Sequence, residues 1–143
     1  MSVRWSDKYI GVPYDFGKCD LKTGTDCLRL TELIYRQEKN YKVSLGGDPV
    51  TDDWYVRNPE RLIKQAIKHG SVIADPKKLK EFDLVTFKFK GRVRHMGVMI
   101  DEYGHFVHQM IKMNSKLDDL AKRHWAQSFY CGIRVNFDKQ VDE

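Results

Sequence analysis

The sequence predicts an α+β fold, with N-terminal helices packed on a central antiparallel sheet. Two patterns predict it. In the first half, apolar residues such as Cys27, Leu30, Leu33 and Ile34 recur at helical spacing. In the second half, strand-like runs such as Leu84 to Phe89 are separated by short turns that close hairpins. Helices first and hairpin strands later define the α+β class. The chain of 143 residues, 41% hydrophobic and 31% charged, suits a single domain over residues 1–143.

A helical turn is expected over Ser6 to Ile10, with Ser6 as its cap. Gly11 to Gly17 and Lys18 to Gly24 read as loops punctuated by glycine and proline. Thr25 or Asp26 then caps a helix running to about Lys39. Asn40 to Asn58 is rich in turn residues, including Gly46-Gly47-Asp48-Pro49. Asn58-Pro59-Glu60 opens a second helix, striped by Leu62, Ile63, Ala66 and Ile67 and stopped by Gly70. Strands are expected at Asp83 to Lys90, Arg94 to Ile100 and Phe106 to Met110, with turns at Gly91-Arg92 and Asp101 to Gly104. Ser115 is placed to cap a helix from Lys116 to about Trp125, and Tyr130 to Phe137 reads as the last strand. The charged tail after Phe137 is expected to fray. Trp5, Trp54 and Trp125 read first as core or interface residues.

Composition narrows the function classes. The net charge of +5 suits an anionic partner such as cell-wall polymer, nucleic acid or acidic lipid, or simply solvates the surface. No stretch approaches the roughly 20 apolar residues of a membrane span. Met1 to Lys8 is polar and lacks the apolar run of a secretory signal, so the chain is expected to stay in the cytoplasm or travel within a particle. Cys19, Cys27 and Cys131 form no disulfide framework and no CxxC pair.

One cysteine is therefore a candidate for reactivity. A free thiol has a pKa of about 8.5 and needs help to react at neutral pH. Cys27 follows Asp26 at the expected helix start, where unpaired N–H groups and the positive dipole end favour a thiolate. The competing reading makes Cys27 a buried apolar residue of the helix stripe. Of the five histidines, His69 and His124 fall near the ends of expected helices and read as solvated. His95 and His108 fall on adjacent strands, and a turn at Asp101 to Gly104 brings them roughly opposite, about 4.5–5.5 Å apart at Cβ. One imidazole can then face the thiol while the other orients it. His105, three residues before His108, falls on the other face, toward solvent. Two strand histidines and a cysteine also fit an open zinc site, but a cysteine at a loop-to-helix junction favours a nucleophile.

These segments together resemble a known family. Tyr9-Ile-Gly-Val-Pro-Tyr-Asp-Phe-Gly17, Thr25-Asp-Cys27, Asp83-Leu-Val-Thr-Phe87, His95-Met-Gly-Val-Met-Ile100, Gly104-His-Phe-Val-His108 and Tyr130-Cys-Gly-Ile-Arg134 are similar, in order and spacing, to the NlpC-type cell-wall cysteine peptidases. The resemblance runs from about Trp5 to Val135. It implies a papain-like fold, with Cys27 as nucleophile, His95 as base and His108 as the orienting residue. It implies that Tyr14 and Asp26 line the substrate site, that no cofactor is needed, and that the reaction is hydrolysis of an amide bond in peptidoglycan stem peptides, commonly after D-glutamate. The implied partner is peptidoglycan rather than nucleic acid.

A short chain of this kind further resembles phage tail members of the family, which implies a virion tail location and tail-tip or baseplate proteins as neighbours. A structural tail protein on the same fold, and a thiol amidase or acyltransferase, are the alternative functions. Three departures from the family pattern stand out, one of them the roughly 40 residues between the first helix and the first strand, which look variable or specialised. Leu28-Arg29 follow the cysteine where many members carry serine and glycine. Phe82-Asp83 stand where Gly-Asp is common.

Overall fold

The structure, a computed structural model, describes residues 4–45 and 60–141. The chain opens with a 3-10 turn at Trp5–Tyr9. Arg4, not Ser6, holds the cap position, and Ser6 is buried inside the turn. Helix α1 spans Cys27–Lys39. Asp26 caps it by accepting the Arg29 N–H at 2.8 Å, and Asn40 ends it in the left-handed conformation (φ 49°). Leu28, Leu30, Leu33 and Ile34 face the core, each 3% exposed or less. Full burial of such a side chain contributes about 1.5–3 kcal/mol.

Helix α2 spans Arg61–Ile67 and is narrower in its apolar face than expected. Leu62 and Ala66 are buried, but Ile67 is 45% exposed. Asn58, Pro59, Trp54 and Gly46 to Pro49 lie outside the described residues. Gly70 does not stop this helix. It begins strand β1 (Gly70–Ile73), where a Cβ would sit 1.9 Å from the Arg134 carbonyl oxygen, so it is needed for close strand approach.

The other strands are β2 (Leu84–Phe89), β3 (Arg92–Met99), β4 (His105–His108), β5 (Lys116–Asp119) and β6 (Phe129–Val135). They form one sheet in the order β1-β6-β2-β3-β4-β5, antiparallel at every pairing. Strand β1 has no counterpart in the sequence reading, because its four residues show no in-out alternation.

The expected helix from Lys116 to Trp125 is instead β5 followed by the short helix α3 (Arg123–Ser128). Ser115 is not a cap. Its Oγ donates to the Tyr9 carbonyl at 2.6 Å and accepts the Val12 N–H at 2.8 Å. Lys116–Asp119 supplies the hydrogen bonds that the outer edge of β4 would otherwise lack.

The sheet is covered on both faces. Helix α1 packs over Leu84, Met96, Val98 and Val107. Trp125, Leu120 and Leu79 cover Val85, Phe87, Met99 and Phe106 on the other face. That is why Leu84 to Phe87 reads as a continuous buried run.

Phe82 adopts φ 71°, a left-handed conformation that costs a non-glycine residue about 1–2 kcal/mol. Its ring stacks on Trp5 at 4.4 Å, which offsets that strain. The adjacent buried Asp83 accepts from Arg134 Nη2 at 2.8 Å and Nε at 3.1 Å, tying β6 to the start of β2. The tail is held further than expected, since Gln140 Nε2 donates to the Lys42 carbonyl at 2.6 Å. Among the described residues, no helix is long and apolar enough to cross a membrane.

Candidate active site

The start of α1 is fixed by hydrogen bonds that converge on Asp26. Its Oδ1 caps the helix through the Arg29 N–H, and its Oδ2 accepts the Gly17 N–H at 2.8 Å. The loop and helix are thus clamped together through one carboxylate, which is 3% exposed. A short parallel bridge pairs Tyr14 with Thr25, with the Thr25 N–H donating to Pro13 and the Asp15 N–H to Thr25. Tyr14 is thereby brought beside the helix end. Gln109, buried at 1% exposure, accepts from Thr25 Oγ1 and donates to the Val12 carbonyl at 2.9 Å. It locks both loops to the strand that carries His108.

A cavity of about 340 Å³ opens at this junction. Cys27, His95, Tyr14, Asp26, Gln109 and Arg94 line it, with Phe16, Phe89, Met110, Ile111 and Met113 as apolar walls. Sequence-predicted site residues from the N-terminal loop, α1 and β3 therefore meet in one space. Arg94, Gln109 and the apolar wall had no signal in the sequence, because the contacts that place them are long-range. Arg94 is the extra residue on β3 where the β2–β3 register slips by one between Phe87 and Lys88. Such a bulge re-aims side chains. Here it lets the neighbours Arg94 and His95 both face the cavity.

His95 and His108 do not lie opposite one another. Gly97 is paired with His108, and His95 lies two residues further along β3. The two rings meet on the diagonal, with His95 Nε2 2.8 Å from His108 Nδ1. Gly97 makes room for this, since a Cβ there would fall 2.7 Å from the Val107 carbonyl oxygen and 3.1 Å from His108 Cβ. The His95 ring stacks on Phe87 and Trp125, and Trp125 also packs edge-on to His108 at 4.8 Å. With Nε2 engaged, Nδ1 is the ring nitrogen of His95 left for the cavity. His108 Nε2 in turn lies 3.2 Å from Asp118 Oδ2 on β5, a contact the expected helix would have hidden.

Electrostatics keep the resting groups neutral. Burial and the neighbouring Asp26 push the Cys27 thiol up to about 12, outweighing the Leu28 and Cys27 N–H groups and Arg29. The helix end does pull this thiol down, as its position predicts, but burial and Asp26 outweigh that pull. Burial, then the adjacent His108, holds His95 well below the usual histidine range. Burial also lowers His108 to about 4, against the opposing pull of Asp118. A neutral thiol and a neutral imidazole, Cys27 and His95, can exchange one proton when an electrophile arrives.

The remaining candidates fall elsewhere. His69 is not solvated. It is 2% exposed and its Nδ1 lies 2.6 Å from the Tyr41 hydroxyl. His124 is exposed as expected, but it sits at the start of α3 and leans on Trp125. His105 is exposed and bonds Asp101 at 2.7 Å. All three cysteines are free, with Cys19 exposed and Cys131 buried. Among the described residues, no three His, Cys, Asp or Glu side chains cluster to hold a metal ion. Leu28 is core and Arg29 lies over the Phe16 ring at 5.6 Å, so the departure after the cysteine is absorbed by packing.

Comparison with known proteins agrees with this architecture. The NlpC/p60 domain of the peptidoglycan hydrolase SagA superposes with a TM-score of 0.62 at 20% identity, covering 90% of this chain and 91% of that one. An NlpC/P60 family protein from Bacillus cereus ATCC 10987 gives a TM-score of 0.64 at 19% identity, covering 89% of this chain and 36% of that one. These likenesses establish the papain-like fold. Among curated proteins, the gamma-DL-glutamyl hydrolase of Bacillus subtilis (strain 168) is 26% identical over 132 residues, 92% of this chain. The chain spans 28% of the length of that relative. The NlpC/P60 family model matches residues 11–134, and the chain belongs to this family of cysteine hydrolases.

Proposed function

We propose that the protein is a cysteine endopeptidase that hydrolyses amide bonds in peptidoglycan stem peptides. The observation that carries this reading is the single cavity shared by Cys27 at a helix N-terminus and His95, whose far nitrogen is held by His108. Family membership and the names of two relatives, a peptidoglycan hydrolase and a gamma-DL-glutamyl hydrolase, support the substrate class.

The chemistry follows from the geometry. Cys27 Sγ attacks the scissile carbonyl carbon as its proton passes to Nδ1 of His95. Negative charge develops on the carbonyl oxygen beside the helix end, where first-turn N–H groups are available to it. Collapse breaks the C–N bond, and the leaving amine takes the proton from His95. The resulting thioester is hydrolysed by water, with His95 Nδ1 accepting the water proton and returning it to sulfur. His108 holds the His95 ring throughout. Tyr14 and the apolar wall of Phe16, Met110 and Ile111 bound the substrate, while the Asp26 carboxylate shapes the subsite by fixing loop against helix.

Digestion of defined muropeptides, read by mass spectrometry, tests the reaction. Cleavage within the stem peptide after D-glutamate supports the endopeptidase. Release of the intact stem from the glycan identifies an amidase and overturns it. Action at a phage tail tip, beside tail-tip or baseplate proteins, is part of the proposal and rests on the sequence reading. Detection of the chain in purified tailed particles tests it.

A further inference from the structure

The two site imidazoles continue into a third strand. His108 is paired across β4–β5 with Lys116, and Asp118 lies two residues beyond it. The His108–Asp118 contact is thus a second diagonal, repeating the His95–His108 one. His95, His108 and Asp118 form a chain across β3, β4 and β5. The His108 and Asp118 side chains are 0% and 3% exposed, so water does not break the last link.

The far side of Asp118 is crowded with donors. Its Oδ1 accepts the Asp119 N–H at 3.0 Å and lies 2.9 Å from Lys122 Nζ. On the side facing His108, Lys116 Nζ lies 3.9 Å from Oδ2. Burial alone would raise this carboxyl, but Lys122 and the Asp119 N–H hold it below the usual carboxylate range. Asp118 is therefore an anion and can only accept hydrogen bonds.

The consequence runs back along the chain. His108 must carry its proton on Nε2 to donate to Asp118. A neutral His108 then has a bare Nδ1, which accepts from His95. His95 must carry its proton on Nε2, and its Nδ1 is bare toward the cavity. We propose that Asp118 is a positioning residue that fixes the tautomers of both imidazoles, keeping Nδ1 of His95 free to accept the Cys27 proton. Its effect on turnover rests on the nucleophile and base assigned above, whereas the tautomers themselves do not.

The substitution Asp118→Asn separates this role from a packing role. The amide oxygen is expected at the Oδ1 position, where Asp119 N–H and Lys122 both require an acceptor. The amide NH₂ then faces His108 Nε2 as a donor. His108 is forced to protonate Nδ1 and donate to His95 Nε2, which moves the His95 proton to Nδ1 and disables the base. In Ser-His-Asp triads the same replacement lowers kcat about 10⁴-fold by misplacing one proton.

The test combines ring-nitrogen NMR at neutral pH with kinetics on peptidoglycan fragments. Wild type is expected to show Nε2–H on both histidines and Asp118→Asn to show Nδ1–H on both. The value of kcat should fall by at least about 10²-fold in Asp118→Asn, with KM little changed, and below that of Asp118→Ala. Asp118→Glu should restore part of the loss. A packing role predicts the reverse order, with the isosteric asparagine better than alanine, and that order overturns the proposal. Nδ1–H on either histidine of the wild type overturns it too, whether or not any variant folds. If the wild type cleaves no wall fragment yet shows the expected tautomers and their switch, the function reading fails and the tautomer assignment stands.

Discussion

His108 is paired in the sheet with Gly97, yet its Nδ1 reaches Nε2 of His95 at 2.8 Å. The contact is diagonal, and a Cβ at Gly97 would crowd the Val107 carbonyl, the Phe106 ring and His108 Cβ. Gly97→Ala should therefore damage both the sheet and the site. The new methyl meets a backbone oxygen at 2.7 Å, which cannot rotate away. Overpacking of this kind costs about 1–3 kcal/mol. Urea denaturation should show that loss, and hydrolysis should fall further than the folded fraction does. An unchanged midpoint with full activity would remove the glycine from the account.

Replacing His95 by alanine should lower kcat about 10²–10⁴-fold, the usual contribution of a general base. His108→Ala should cost less, because His95 keeps its place against Phe87 and Trp125 while losing its tether. Steady-state kinetics on muropeptides checks the order. A His108→Ala protein with full activity would contradict the orienting role.

The acid limb of activity should lie lower than an ordinary histidine would place it. Neutral His95 is the form that accepts a proton, and burial holds its pKa well below 6.5. The plateau of kcat/KM should persist as pH falls through 6.5 and decline only beneath it. A limb centred at 6.5 or above would show that burial does not govern this ring.

Stability carries its own pH signature. His108 titrates at about 4 when folded against about 6.5 when unfolded, so the unfolded chain binds the extra proton between those values. Stability should fall as pH drops through that window, and His108→Gln should flatten the fall. Thermal melts from pH 7 to 4 measure it. A melting temperature that rises on acidification would give the wrong sign.

Alkylation reads the thiol directly. Burial and Asp26 raise Cys27, so its reaction with iodoacetamide should be slow at pH 7 and still accelerating above pH 9. Peptide mapping distinguishes it from the exposed Cys19. A rate already level by pH 7 would mean a thiolate at rest.

The parts legible in the sequence are those set by local chemistry. Asp26 caps α1 because a short acid before an amphipathic run does so in most contexts. The Asp101 to Gly104 turn follows from Asp101 accepting nearby N–H groups and from Gly104 at φ 100°. What was not legible depends on distant partners. Ser115 has the residue type of a cap, but its hydroxyl serves Tyr9 and Val12, more than 100 positions away. Hiding β5 also hid Asp118. His69 reads from the sequence as a solvated helix end, whereas the Tyr41 hydroxyl meets it in the interior. The bulge that aims Arg94 into the cavity leaves no trace in hydrophobic periodicity.

The most direct test is the release of new amino groups from purified peptidoglycan sacculi under reducing conditions, comparing wild type with Cys27→Ala. Wild type is expected to release them steadily, with the matching muropeptide fragments, and Cys27→Ala to release none while keeping the same circular dichroism. A folded wild-type protein that leaves the sacculi intact, or a Cys27→Ala protein that cleaves them as fast, would contradict the central claim.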